Sequence, residues 1–294
     1  MNVIITGGTG FVGANLITKF LGLGFEVFYT GRDLENRVNG TCLGCDFSKI
    51  SWDSLPKIDA LLHMAAITDT TVYNRELMFQ VNYFDSVSLF KDAISHGCKN
   101  IVYASSCSVY GNQAGIFKED MKLSPLNPYA ESKAMLDEVS LLAIASKIMP
   151  KIIGLRYSNV YGPNEHHKNK SASMISRLLW QMKEGDPRLF KYGEQKRDWV
   201  YYKDVVEVVY LSSLSDKSGV YNIGFGESAS FNYIVDKWNQ ILGLDRNPIY
   251  EDNPFEDKYQ SITEVNIDKA RKELDYDPKY NVDQGMLDYD LSSF

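Results

Sequence analysis

No apolar run in this chain of 294 residues approaches the roughly 20 needed to span a bilayer, and the apolar start Met1-Asn2-Val3-Ile4-Ile5 soon runs into glycines. The expectation is a cytoplasmic protein with no membrane partner. A basic stripe is also missing. Lys and Arg number 31 against 38 Asp and Glu, a formal charge of −7, and they are scattered, so nothing could neutralise a nucleic-acid backbone. There is no Pro/Gly/Ser-rich linker or low-complexity tract, so the whole chain should fold. Cysteine is scarce. Cys42 and Cys45 have the spacing that sometimes marks zinc or redox sites, but no second pair joins them, and with Cys98 and Cys107 they read as free thiols. Of the four histidines only His166 and His167 are local to one another; loop polarity accounts for His63, His96 and this pair, and no metal is expected.

What is present is an alternation. Residues 2–6 form a short β-rich run, Gly7 to Gly13 a turn, Ala14 to Leu23 a helix with Leu16, Phe20 and Leu23 at helical spacing, and residues 25–30 a second strand. Apolar runs recur at 60–65, 101–105 and 152–157, each separated from the last by a helix-like or loop segment. This pattern predicts an α/β fold, a Rossmann-type doubly wound parallel sheet. Strand, glycine turn and helix in that order give the glycines meaning, because they let the backbone turn tightly and approach a pyrophosphate held at the helix N-terminus. Gly7, Thr9, Gly10, Phe11, Val12 and Gly13 are therefore candidate dinucleotide contacts. The end of the second strand, where an acidic residue would accept bonds from a ribose 2′-hydroxyl, falls on Gly31 followed by Arg32; this suits NADP in preference to NAD, although Asp33 is close.

Tyr129 and Lys133 lie four apart at the head of a helix that follows Pro125 and Pro128, so phenol and ammonium share one face. A cation beside a phenol favours the phenolate and brings its pKa toward the working range. The strand 101–106 ends in the hydroxyls of Ser105 and Ser106, at the sheet edge where ligands bind in this architecture. Thr6 to Gly13, His63-Met64-Ala65-Ala66, Ser105 to Gly111, Tyr129-x-x-x-Lys133 and Arg156 to Pro163 together resemble the extended short-chain dehydrogenase/reductase family of nucleotide-sugar epimerases and dehydratases, over essentially the whole chain. The resemblance implies Tyr129 as acid/base, Lys133 as its pKa modifier and nicotinamide-ribose anchor, and Ser106 as hydroxyl donor to the substrate. It also implies Asp46 near adenine, Ala65 and Ala66 beside the cofactor, Asn159 on the nucleotide sugar, and Arg197 on phosphate oxygens.

Where related 4,6-dehydratases carry an Asp-Glu pair after the catalytic hydroxyl, this chain has Cys107 and Ser108, which disfavours dehydration. Gly162-Pro163-Asn164-Glu165-His166-His167-Lys168 and Tyr259-Gln260-Ser261-Ile262-Thr263 are similar to segments of the ADP-glycero-manno-heptose 6-epimerases. That likeness implies Lys168 as a second acid/base, Tyr259 as a substrate contact, a nucleotide-diphosphate sugar as substrate and a homo-oligomer. The expected chemistry is oxidation of a sugar carbon to a ketone and hydride return to its other face. Cys107 keeps open a GDP-keto-sugar epimerase/reductase; another 4-epimerase of the family and a non-catalytic NADP-binding regulator are further alternatives. The expected division is an NADP-binding domain over 1–167, to which 195–224 return, and a smaller C-terminal substrate-binding lobe from 168–194 and 225–294.

Overall fold

The structure is a computed structural model and describes residues 1–31, 39–44, 46–69, 74–148, 151–254, 260–289 and 291, the side chain of Lys170 excepted. In chain order the strands are β1 (Asn2–Thr6), β2 (Glu26–Tyr29), β3 (Thr41–Cys42), β4 (Ala60–His63), β5 (Asn100–Ser106), β6 (Ile152–Tyr157), β7 (Asn159–Tyr161), β8 (Arg188–Phe190), β9 (Lys196–Tyr201), β10 (Gly219–Ile223), β11 (Ser228–Ser230), β12 (Ile249–Glu251) and β13 (Ile262–Thr263). The α-helices are α1 (Phe11–Gly22), α2 (Arg75–Phe79), α3 (Ser86–Ser95), α4 (Pro128–Ala145), α5 (Met174–Glu184), α6 (Tyr202–Leu214), α7 (Phe231–Leu242), α8 (Asp268–Leu274) and α9 (Val282–Leu287). A π-helical turn over Gln80–Asp85 joins α2 to α3.

Seven strands form one parallel sheet in the order β10-β6-β5-β4-β1-β2-β3. Its strands are buried on both faces, which is why they read as near-continuous apolar runs. The two-residue period then sorts them. Val3 and Ile5, Val27 and Tyr29, Ala60 and Leu62 pack with Leu16, Ile17 and Phe20 of α1 and with the valines of α6. Ile4, Phe28 and Leu61 face the other way, onto Leu89, Phe90 and Ala93 of α3 and Leu136 of α4. The chain leaves β1 for β2 on one side and β4 on the other, so the strand order reverses between β1 and β4 and opens a crevice above their C-terminal ends.

A four-stranded sheet of β11, β9, β13 and β7 and the β12–β8 pair build the smaller lobe with α5, α7 and α9, around Ile175, Leu178, Met182, Trp199, Phe231 and Trp238. Here one expected boundary moves. Residues 195–224 do not return as a block, because β9 pairs with β7, β11 and β13 in the small sheet, and only α6 and β10 rejoin the large one. Trp199 explains the difference: it anchors the small-lobe core, whereas the valines of α6 belong to the large one. Helix α1 also begins earlier than expected, at Phe11, which puts Gly13 inside its first turn.

Candidate active site

The crevice between the two lobes has a cavity volume of about 860 Å³. Its nucleotide end is built by the glycine turn. Gly7 has φ +68°, and a Cβ there would fall 2.9 Å from the Ala65 backbone; a Cβ on Gly13 would fall 2.1 Å from the Gly7 carbonyl oxygen. Side chains at these two points would push α1 away from the end of β4. Gly10 caps α1 in an extended conformation, with no side-chain cap and no acidic residue in the first turn. The first N–H groups of the helix and its positive dipole end therefore face the crevice, which is how a helix receives an anion.

Buried polar contacts that sequence reasoning assigned elsewhere hold this turn in place. His63 is no loop residue: it ends β4 inside the core, with Nδ1 2.7 Å from Thr6 Oγ1 and Nε2 2.9 Å from Ser86 Oγ. Burial, with the Lys133 charge adding to it, lowers its pKa to about 3, so it serves as a neutral hydrogen-bonding strut. Thr6 Oγ1 also accepts from the Ala65 N–H (3.2 Å). Asn82, which carried no sequence signal beyond being an amide in an apolar segment, accepts from Ile67 N–H (2.8 Å) and donates to Ile67 O (2.9 Å), fixing the chain past β4 where Ala65, Ala66, Ile67 and Thr68 line the crevice.

At the far end of β2, Gly31 is required by packing, since a Cβ would meet the Thr9 side chain at 2.5 Å. Arg32 and Asp33 lie outside the described residues. Asp46 lines the crevice, and its carboxylate caps the short turn Phe47–Lys49 by accepting from Ser48 N–H (3.1 Å).

Ser106, Tyr129 and Lys133 meet at the centre of the crevice. Asn127 caps α4 by accepting from Ala130 N–H (2.9 Å), with Pro128 as the first helical residue, so the helix starts where Tyr129 must point inward. Lys133 is buried and donates to Ala104 O (2.7 Å). Burial lowers its pKa to about 8 against the opposing pull of Asp137, one turn further along α4. The expectation that a cation depresses the Tyr129 phenol is corrected here. Desolvation raises its pKa; the hydrogen bond with Ser106 opposes this, and the ammonium of Lys133 is directed to Ala104 O. Ser106 also accepts from Ser108 N–H (3.2 Å) and Ser108 Oγ (2.9 Å). Cys107 does not line the crevice. It is buried with Sγ 3.1 Å from Arg156 O, and burial holds its thiol well above the usual range.

Beneath these groups lies a buried ion pair that the sequence did not announce. Arg156 Nε donates to Asp137 Oδ2 (2.7 Å) and Nη1 to Tyr110 OH (2.8 Å), while Tyr103 OH donates to Asp137 Oδ1 (2.9 Å). It ties α4 to β5 and β6 under the reacting groups.

The second lobe supplies the opposite wall. Asn159, Lys168, Arg197, Trp199 and Phe231 line it. The Asn159 amide donates to Asp198 O (3.3 Å). Arg197 lies 5.5 Å over the Phe231 ring and donates to Lys196 O (2.8 Å). Lys168 Nζ donates to Glu165 Oε2 (2.6 Å). Tyr259 lies outside the described residues. Among the described residues no group of His, Cys, Asp or Glu is arranged to hold a metal ion, and no helix is long and apolar enough to cross a membrane.

Comparison with known proteins agrees with this architecture. The profile of the NAD dependent epimerase/dehydratase family matches residues 3–224. The ADP-L-glycero-D-manno-heptose-6-epimerase of Brachyspira hyodysenteriae is 32% identical over 98% of this chain and 96% of its own length. The crystal structure of the Helicobacter pylori ADP-L-glycero-D-manno-heptose-6-epimerase superposes with a TM-score of 0.89 at 34% identity, covering 98% of this chain and 94% of that one. UDP-glucose 4-epimerase of Thermotoga maritima, solved with UDP-glucose, reaches a TM-score of 0.89 at 25% identity, covering 98% and 96%.

Proposed function

The chain belongs to the NAD dependent epimerase/dehydratase family, and from that premise we propose that it inverts one carbon of a nucleotide-diphosphate sugar, most specifically carbon 6 of an ADP-glycero-manno-heptose, with NADP as resident cofactor. The observation that carries this is the convergence of Tyr129 with Ser106 from α4 and β5, and of Lys168 from the loop after β7, on one crevice. Inversion needs a proton taken from one epimer and returned to the other, and two donors on different elements meet that need. Two heptose 6-epimerases at 32% and 34% identity support the choice of sugar.

The residues present fit a dinucleotide. The uncapped start of α1 and the glycines that bring it against Ala65 form a cradle that a Cβ would fill, and Ser105 Oγ is buried in the crevice wall with no partner among the described residues. The turn over 7–13 would take the pyrophosphate, and Lys133 the nicotinamide ribose. A dinucleotide held there would supply reversible hydride transfer at the sugar carbon. Tyr129 holds and moves the hydroxyl proton, Ser106 orients the same oxygen, and Arg197 receives phosphate oxygens. The absence of a carboxylate at Gly31 favours NADP, whereas the family's description favours NAD. Cys107, turned into the core, argues against the GDP-keto-sugar epimerase/reductase reading. The proposal includes a homo-oligomer in the cytoplasm and the two-domain division above, with β9 moved to the substrate lobe.

The test is incubation of purified protein with ADP-L-glycero-D-manno-heptose in cofactor-free buffer, with carbon 6 followed by NMR and the dinucleotide released on denaturation identified. Inversion with NADP released is expected. Inversion only of UDP- or GDP-sugars, or dependence on added NADPH, overturns the reading.

A further inference from the structure

The geometry points to Glu165 as the positioning residue that presents Lys168 to the crevice, an inference that rests on the proposed role of Lys168 as second proton donor. Glu165 is fully buried in the loop between β7 and α5. Its Oε1 accepts from Gly162 N–H (3.3 Å), Ser173 Oγ (2.6 Å) and Ser176 Oγ (2.9 Å), and its Oε2 accepts from Ser173 N–H (2.9 Å) and Lys168 Nζ (2.6 Å). The Gly162 and Ser173 N–H groups and the Lys168 ammonium can only donate, so the Glu165 oxygens face them as acceptors. Four of the five donors are neutral, and three of these fall on Oε1, so Oε2, with only the Ser173 N–H as a neutral donor, keeps a lone pair for Lys168. Lys168 supplies the counter-charge, and among the described residues no other cation pairs with it.

The lysine is held from a second side as well. Its ammonium lies 5.0 Å from the centre of the Phe11 ring, in the first turn of α1, and its side chain keeps 23% of its exposure on the crevice. A free lysine samples many rotamers, and ordering it costs side-chain entropy. Here the loop meets that cost beforehand: Asn164, before the turn His166–Ser171, and Asn169, inside it, take positive φ values of 66° and 47°, and the turn delivers Lys168 onto the carboxylate. A donor fixed in this way reaches a sugar oxygen without a search, which is what separates a positioned acid from a charged surface residue.

The substitution Glu165→Gln keeps the shape but turns an NH₂ toward Lys168 Nζ or the Ser173 N–H, releasing the ammonium. Two measurements follow. Without substrate, the rate at which acetic anhydride acylates Lys168, read by peptide mass spectrometry against the other lysines, should rise several-fold in Glu165→Gln. With ADP-L-glycero-D-manno-heptose and its carbon-6 epimer, kcat should fall at least about tenfold with KM within about twofold, and the Glu165→Gln/Lys168→Met double variant should be no slower than Lys168→Met alone. Unchanged acylation overturns the proposal. So does faster acylation with wild-type kcat, or additive losses in the double variant. A wild-type enzyme inert toward both heptoses refutes the function reading, while the acylation rate still judges Glu165. Should Glu165→Gln fail to fold, Glu165→Asp, which keeps the charge but withdraws it by one methylene, must show the same two changes, and wild-type values for it overturn the inference.

Discussion

Replacing Lys133 with methionine should make the protein more stable while abolishing turnover. Lys133 is fully buried, and burial lowers its pKa from 10.5 to about 8. Below the folded value the ammonium is charged in both states, and its desolvation is a full cost to the fold; at about 1.4 kcal/mol per unit, a shift of about 2.5 units amounts to about 3 kcal/mol. Methionine removes that cost but leaves Ala104 O without its 2.7 Å donor, a loss of about 1 kcal/mol. The net expectation is stabilisation of about 2 kcal/mol near pH 7. The sign of the pH dependence follows from the depressed lysine. Between the folded and unfolded pKa values the unfolded chain binds more protons, so wild-type stability rises with pH relative to the variant. By about pH 9.5 roughly 2 kcal/mol of the cost is relieved, and the two proteins should be nearly equal. Urea melts of both proteins at pH 7 and at the higher pH give the difference directly, and comparing the pair cancels the titration of the buried tyrosines. A variant less stable than wild type at pH 7, or a difference that does not change with pH, would refute the argument that Lys133 is held charged at a cost to the fold.

Gly13→Ala places a Cβ 2.1 Å from the Gly7 carbonyl oxygen, with backbone on all the near contacts; calorimetry should show dinucleotide affinity reduced about 100-fold and stability lowered by about 1–3 kcal/mol, because α1 must move by about an ångström. Unaltered affinity would mean that the turn does not carry the pyrophosphate. Tyr129→Phe should lower kcat by about 10²–10⁴ while dinucleotide binding stays within about twofold; retained turnover would displace Tyr129 from its role. Arg156→Met strands the buried Asp137 carboxylate, leaving Tyr103 as its remaining donor, and should cost about 3–5 kcal/mol in a denaturant melt. A loss below about 1 kcal/mol would refute the argument that Arg156 holds this buried carboxylate in place.

Where physical chemistry works over short stretches of chain, the sequence was readable. The glycine turn, the four-residue spacing of Tyr129 and Lys133, and the apolar runs each report a local constraint, and the register of the parallel sheet does the rest: Thr6 pairs with His63 and Ser106 with Tyr157, which brings distant strand ends to one edge. What stayed hidden depends on pairing across the fold. Loop polarity is the sequence reading of both His63 and His96, yet one, inside the apolar run 60–65, is a buried strut between Thr6 and Ser86 and the other an exposed residue at the end of α3. Arg156 and Asp137 are 19 positions apart and look like ordinary charges until β6 and α4 are packed together. The segment of β9 is expected from the sequence to return with 195–224 to the large domain, and only its pairing with β7, β11 and β13, with Trp199 and Tyr201 in the second core, shows the sheet it joins. Lys168 was visible only by resemblance, and its geometry shows why. Nothing in its own spacing marks a proton donor; what distinguishes it from the other lysines is a buried carboxylate three residues earlier whose remaining lone pairs are satisfied by Gly162, Ser173 and Ser176. On the proposed reading, the side chain that moves the second proton is defined by the neighbour that restrains it.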